Sequence, residues 1–234
     1  MSKLVLFLII PLVVCALPDG RELKELKKQF EEILASDNSV QCQREYFKYK
    51  RCSKKLNEME NEAVESSEES VFEIPTKEDV SNAIDIINGT AECIGEVSCN
   101  KFRLVQYGNH ASAYILENLV YKPYDCLSKS TLAFAAMKCA MSEIPQEVLQ
   151  SASTTNDLSA LLAYIKPVFK CMAQGLEGCS IEQKNAFYRG GWAFADVYEV
   201  LVEVQGALAE KTLPAFANSF NEEFYGFLYD KLQL

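Results

Sequence analysis

Apolar positions along the chain recur at helical spacing, in blocks separated by breakers. Leu23, Leu26, Phe30 and Ile33 are spaced 3, 4 and 3, which puts them on one helical face, with lysines and glutamates filling the other. Asp37, Asn38 and Ser39 end that block. Cys42, Tyr46, Tyr49, Cys52, Leu56 and Met59 follow at spacings 4, 3, 3, 4 and 3, and Lys48, Lys50, Lys54 and Lys55 lie off their stripe. That pattern predicts an amphipathic helix. From Glu60 to Ser70 the chain turns to Glu and Ser, which predicts an acidic linker. Pro75 and Thr76 restart the helical pattern, with Asp79 at the capping-box position. Val80, Ala83, Ile84 and Ile87 then form an apolar face, and Gly89 weakens that helix.

Further helices are predicted from about Ala111 to Tyr121 and from about Leu127 to Met141, with Pro123 and Pro145 as stops. A polar stretch from Ser151 to Asn156 precedes an apolar segment, Leu158 to Met172, that Pro167 is expected to kink or split. Gly175 and Gly178 predict a turn, and Ser180 with Gln183 forms a second capping box. Gly190 and Gly191 are expected to break the chain before a helix from Trp192 to about Leu208. Pro214 can open a last helix carrying Phe216, Phe220, Phe224 and Phe227, a stripe expected to join the core. No run alternates over strand length. The expected fold is all-α: a disulfide-stapled helical bundle with an additional C-terminal helical segment.

The start of the chain sets the compartment. Lys3 precedes an apolar run from Leu4 to Val14, and Val14 and Ala16 occupy the small-residue positions of a secretory signal, with cleavage expected after Ala16. A membrane span needs about 20 apolar residues. Pro18, Asp19, Gly20 and Arg21 end this run too early, and no later segment qualifies. The expected organisation is a signal over 1–16, an N-terminal helix over 17–40, a cysteine-rich helical domain over 41–180, and a helical extension over 181–234 on the same core.

Cysteine arithmetic agrees with that cut. Of nine cysteines, Cys15 falls inside the signal, which leaves eight: Cys42, Cys52, Cys93, Cys99, Cys126, Cys139, Cys171 and Cys179. An even set in an extracellular chain reads as a disulfide framework. No CxxC pair exists and His110 is the only histidine, so the spacing of a zinc knuckle is not visible. Cys42 and Cys52, ten residues apart on one straight helix, would be separated by ~15 Å. A disulfide needs Cα atoms within about 7 Å. Each must therefore reach another helix. Antiparallel neighbours nest their bridges, which suggests Cys42–Cys99 with Cys52–Cys93, and Cys126–Cys179 with Cys139–Cys171. The local pairs Cys93–Cys99 and Cys171–Cys179 stay open, because glycines lie between them.

Charge narrows the partners. The chain carries 23 Lys and Arg against 33 Asp and Glu, a net charge of −10. That argues against nucleic acid and anionic membrane surfaces, which need basic patches. Asn88-Gly89-Thr90 is a sequon without a blocking proline, so a glycan is expected on Asn88. Ser66 and Ser67 each have a glutamate two residues on, a pattern like that of secretory-pathway kinase sites, within what also reads as a plain solvated linker. Nothing like a nucleophile elbow surrounds any serine. His110 therefore reads as a loop histidine beside Gly108 and Asn109. No catalytic, cofactor or metal residue is expected.

The cysteine spacing carries a resemblance. Cys42 and Cys52 enclose nine residues, Cys93 and Cys99 enclose five within AECIGEVSC, and Cys126 and Cys139 follow. Over about residues 41–180 this resembles the secreted cysteine-rich helical domain, common in nematodes, that is known only as a domain of unknown function. The resemblance implies secretion and a disulfide-linked helical fold, and no mechanism. The expected function is a secreted, non-catalytic binding or interaction protein whose partner is an unknown extracellular protein or a small apolar ligand. The alternatives are an extracellular carrier of such a ligand and a secreted hydrolase using carboxylates or His110.

Overall fold

The structure, a computed structural model, describes residues 28–36 other than Phe30, 39–65, 75–127, 129–155, 158–209 and 219–226. The expected signal, Leu23, Leu26, Phe30, Ser66, Ser67, Phe216 and Phe227 lie outside the described residues. All regular structure among the described residues is helical. Helical residues 31–35 precede α1 (Val40–Cys52), α2 (Lys54–Glu65), α3 (Lys77–Ile94) and α4 (Asn100–Leu116). A π turn (Glu117–Tyr121) and a 3-10 turn (Tyr124–Cys126) lead to α5 (Lys129–Glu143) and α6 (Gln146–Thr155). A second 3-10 turn (Leu158–Leu161) precedes α7 (Leu162–Gly175), α8 (Ile181–Ala209) and the short α9 (Glu222–Gly226).

Both capping boxes form. Thr76 Oγ1 accepts from the Asp79 amide while Asp79 accepts from the Thr76 amide, and Ser180 and Gln183 exchange the same two bonds at the start of α8. Elsewhere the chain departs from the local expectations. The stripe from Cys42 to Met59 is divided at Ser53, which lies buried with φ −82° and ψ 3°. Its hydroxyl accepts from Asn57 Nδ2 at 3.4 Å, the kind of local side-chain bond that competes with a continuing helix. Helix α2 then runs through Glu65, into the expected linker. The polar stretch from Ser151 is helical as far as Thr155. Pro167 sits inside α7 without dividing it; the division falls earlier, between Leu161 and Leu162. The carbonyl that Pro167 leaves unbonded belongs to exposed Ala163, where water can satisfy it.

Gly190 and Gly191 depart furthest from expectation. They do not break the chain but lie in the middle of α8, a helix of 29 residues. Their role is close approach. A Cβ on Gly190 would come within 2.7 Å of the Leu119 amide nitrogen in the π turn, and one on Gly191 would overlap the Phe169 ring of α7. With no side chain at either position, α8 packs directly on both neighbours. Phe169 in turn packs against Phe187 and Phe194, with ring centroids 5.9 Å away in each case. This contact anchors the main core, which takes Val80 and Ile87 from α3, Leu116 and Leu119 from α4 and its π turn, Cys139 from α5, Met172 from α7 and Val197 from α8.

The four disulfides nest in two pairs: Cys42–Cys99 with Cys52–Cys93, and Cys126–Cys179 with Cys139–Cys171. Their Cα separations of 5.1 to 5.7 Å fit unstrained reach between elements. The first pair straps α1 across the end of α3 and the start of α4; the second straps the segment from Cys126 through α5 to α7 and the turn after it. That turn needs φ +83° at Gly178, and the link after α3 needs φ +59° at Gly95, both open to glycine without strain. A second, smaller core gathers Leu34, Cys42, Cys99 and Phe102 around the first bridge. Four disulfides place the chain in an oxidising compartment. Among the described residues no helix is long and apolar enough to cross a membrane.

Glu45 holds this first bridge in place. Glu45 is buried, 5 % exposed, and its carboxylate accepts from the Ser98 amide at 2.9 Å, the Cys99 amide at 3.1 Å, and the Ser98 hydroxyl and Gln41 side-chain amide. Burial by itself raises the carboxyl pKa, but the Ser98 amide, Gln41, the Cys99 amide and the Ser98 hydroxyl together outweigh it and hold the group below its ordinary value. A depressed native pKa stabilises the fold above the unfolded value of about 4.3, and that contribution is lost as pH falls through the native pKa.

Two expectations follow from these contacts. Gly190→Ala should destabilise by about 1–3 kcal/mol through overpacking against the Leu119 backbone. That exceeds the roughly 1 kcal/mol that alanine gains over glycine in a helix. Gly206→Ala, in the same helix but with no atom within 4 Å of the new Cβ, should instead stabilise. Thermal melting of both variants checks the contrast, and equal effects would remove the close-packing account. Glu45→Gln should destabilise by about 1–3 kcal/mol at neutral pH, with the gap narrowing below about pH 4. Melting curves at both pH values test it, and a gap that does not change with pH would refute the buried carboxylate.

Candidate functional site

Three surface features carry chemistry. The first is the sequon. Asn88 is exposed near the end of α3, and the space around Gly89 is open, with no atom within 4 Å of a built Cβ. The helix runs straight through Asn88, Gly89 and Thr90 to Ile94, so Gly89 does not free the backbone there. Thr90 turns inward, 3 % exposed, and its hydroxyl donates to the Ile86 carbonyl at 2.8 Å.

The second feature is a ridge on α5. Leu132, Ala135, Ala136 and Cys139 face the core, while Phe134, Met137 and Met141 are 64 %, 57 % and 74 % exposed. Their spacings of 3 and 4 place them in one line, directly opposite the buried face. Only Lys129, Lys138 and Glu143 are charged in this helix of 15 residues. The outward face of a helix packed on a core is normally polar or charged. The sequence pattern predicted a helix here without showing which of its apolar residues face outward.

The third feature is a clasp formed by the C-terminal segment. Phe220 lies 5.7 Å from Tyr107, 5.4 Å from Tyr114 and 5.3 Å from Tyr225 by ring centroids. The Tyr225 hydroxyl donates to Asp196 at 2.9 Å, and Asp196 also pairs with Lys166 at 2.6 Å. Lys166 in turn sits 4.8 Å over the Trp192 ring. Burial, then the charges of Asp196 and Glu199, push the Tyr107 phenol up to about 12. Burial also pushes Tyr114 up to about 12. Tyr225 is raised further, first by burial and then by Asp196, so it remains a hydrogen-bond donor throughout the physiological range. These groups form a neutral phenol array tied to one ion pair, and they seal the α4–α8 junction.

Only part of the expected phenylalanine stripe behaves as core. Ser219 to Asn221 are not helical, and α9 begins where Asn221 Oδ1 accepts from the Glu223 amide. That start turns Tyr225 inward and leaves Phe224 50 % exposed. The sequence could not show this, because Asp196 and Lys166 lie outside the C-terminal segment and are joined to it only by folding. Comparison with known protein families, curated proteins and solved structures finds no match.

The structure brings the eight cysteines from Cys42 to Cys179 together in pairs and, among the described residues, gathers no other expected site. His110 lies within α4 rather than in a loop, with Nε2 3.2 Å from Gln106 Nε2. No group of three His, Cys, Asp or Glu among the described residues is placed to hold a metal.

Tyr225→Phe should lower stability by about 1.5 kcal/mol by removing a bond to a charged acceptor. Phe220→Ala should cost about 3 kcal/mol, at the lower end for a packed phenylalanine because the ring is only partly buried. Thermal unfolding measures both. Wild-type melting in both variants would mean that the clasp does not contribute to the fold.

Proposed function

We propose that this is a secreted, non-catalytic binding protein whose α5 ridge docks a basic amphipathic helix of another extracellular protein. The ridge carries the reading. Phe134, Met137 and Met141 stand in a straight line at the spacing with which one helix packs on another, and methionine adapts its shape to a partner surface. The net charge of −10 favours a basic partner and would steer its approach. Three side chains fall well short of the roughly 800 Å² per partner of a stable interface. The docking is therefore a weak or transient contact, or the apolar centre of a wider one.

Secretion is supported by the signal pattern before Leu17 and by the paired cysteines. The cysteine spacing adds its resemblance to the secreted nematode-type helical domain. A glycan on Asn88 belongs to the same reading, and the open space around Gly89 leaves room for it.

The test uses a labelled synthetic peptide of Leu and Lys in helical heptads, followed by fluorescence anisotropy. The wild-type chain should bind it, more weakly as salt rises. The triple variant Phe134→Ser, Met137→Gln, Met141→Gln should bind at least about tenfold more weakly, a loss of roughly 1.4 kcal/mol, with unchanged melting because all three side chains face water. Absence of wild-type binding, or equal binding by the variant, would remove the ridge from the function.

A further inference from the structure

The folded protein exposes one half of the sequon and buries the other. On an α-helix the side chains of residues i and i+2 point about 200° apart, so they do not face a common neighbour. Asn88 and Thr90 obey this geometry: Asn88 faces out, while Thr90 is 3 % exposed with its hydroxyl bonded to Ile86. An enzyme that reads Asn and Thr together must engage both side chains from one side. On folded α3 it can reach only the asparagine.

We propose that Asn88 accepts its glycan only before α3 closes, so that helix formation ends the interval in which this protein can be glycosylated. The inference rests on the secretory reading above. In the transfer, Asn88 Nδ2 forms a bond to the anomeric carbon of a lipid-diphosphate-linked oligosaccharide. The bond from that carbon to the diphosphate oxygen breaks, the lipid diphosphate leaves, and one amide proton passes to a base of the enzyme. The closing step belongs to this chain. Formation of α3 turns Thr90 inward, gives its hydroxyl the Ile86 carbonyl as acceptor, and brings Cys93 to its bridge with Cys52. The open surface at Gly89 then accommodates a glycan already in place.

The test compares two states of one chain. The mature chain, residues 17–234, is made without glycosylation machinery and oxidised to its four disulfides. One portion stays folded and another is reduced and alkylated. Both are incubated with solubilised oligosaccharyltransferase and its lipid-diphosphate oligosaccharide donor. Peptide mass spectrometry and glycosidase digestion then report occupancy at Asn88. The unfolded chain should be modified at least about tenfold more than the folded chain, which exposes the sequon only through local opening. Thr90→Ala should abolish transfer in the unfolded state. A smaller difference would overturn the folding gate while leaving Asn88 a glycosylation site. If neither state is modified, the gate and the glycan are refuted together.

Discussion

A cysteine pair on one straight helix cannot close on itself, and the architecture depends on that constraint. Cys42 and Cys52 both lie on α1, so their bridges must leave it, and they do so to Cys99 and Cys93 on either side of one short link. Two bridges at two heights fix the direction of α1 as well as its distance. The second pair repeats the device between the Cys126–Cys139 segment and the Cys171–Cys179 segment. Closing loops of 32 to 57 residues restricts the unfolded chain by roughly 4 kcal/mol for each bridge taken alone. Nesting reduces the sum, because an inner loop is already shortened once its outer bridge has formed. What nesting adds is register.

Between these straps the core is organised by α8. Its glycine pair lets the helix backbone approach the π turn and the Phe169 ring more closely than any side chain would allow. The π turn itself places Asn118, 1 % exposed, where Nδ2 donates to the Tyr114 carbonyl and Oδ1 accepts from Lys122. A wider helical turn is thereby satisfied locally and still fits under α8. Two carboxylates are handled in the same way. Glu45 is buried only because backbone amides receive its charge, and Asp196 is tolerated in the aromatic clasp because Lys166 and Tyr225 share it.

The outer surface divides by chemistry. It is acidic overall, which favours solubility and basic partners, yet α5 presents an apolar line where a charged face is the rule. The sequon stands on a different helix, α3, with half of its recognition element turned inward. Phe134 and Met141 face outward because Leu132 and Cys139, on the opposite side of α5, pack into the core.

The sequence by itself determined what is local or countable: an all-helical chain, both capping boxes, and the even set of cysteines. The nested pairing was one of the arrangements its helix geometry allowed, because rise per residue rules out closure within α1 without choosing a partner. Only the tertiary structure decided the rest. Glycine weakens an isolated helix, so Gly190 and Gly191 read as a break until Leu119 and Phe169 are seen to occupy the space that a side chain would fill. A phenylalanine at helical spacing reads as core, but Phe224 faces out because α9 starts at Asn221 and Tyr225 is drawn inward to Asp196. A sequon reads as exposed, but a continuous helix turns its threonine inward. Each depends on which distant surface the chain meets, and spacing along the sequence carries no information about a neighbour that folding supplies.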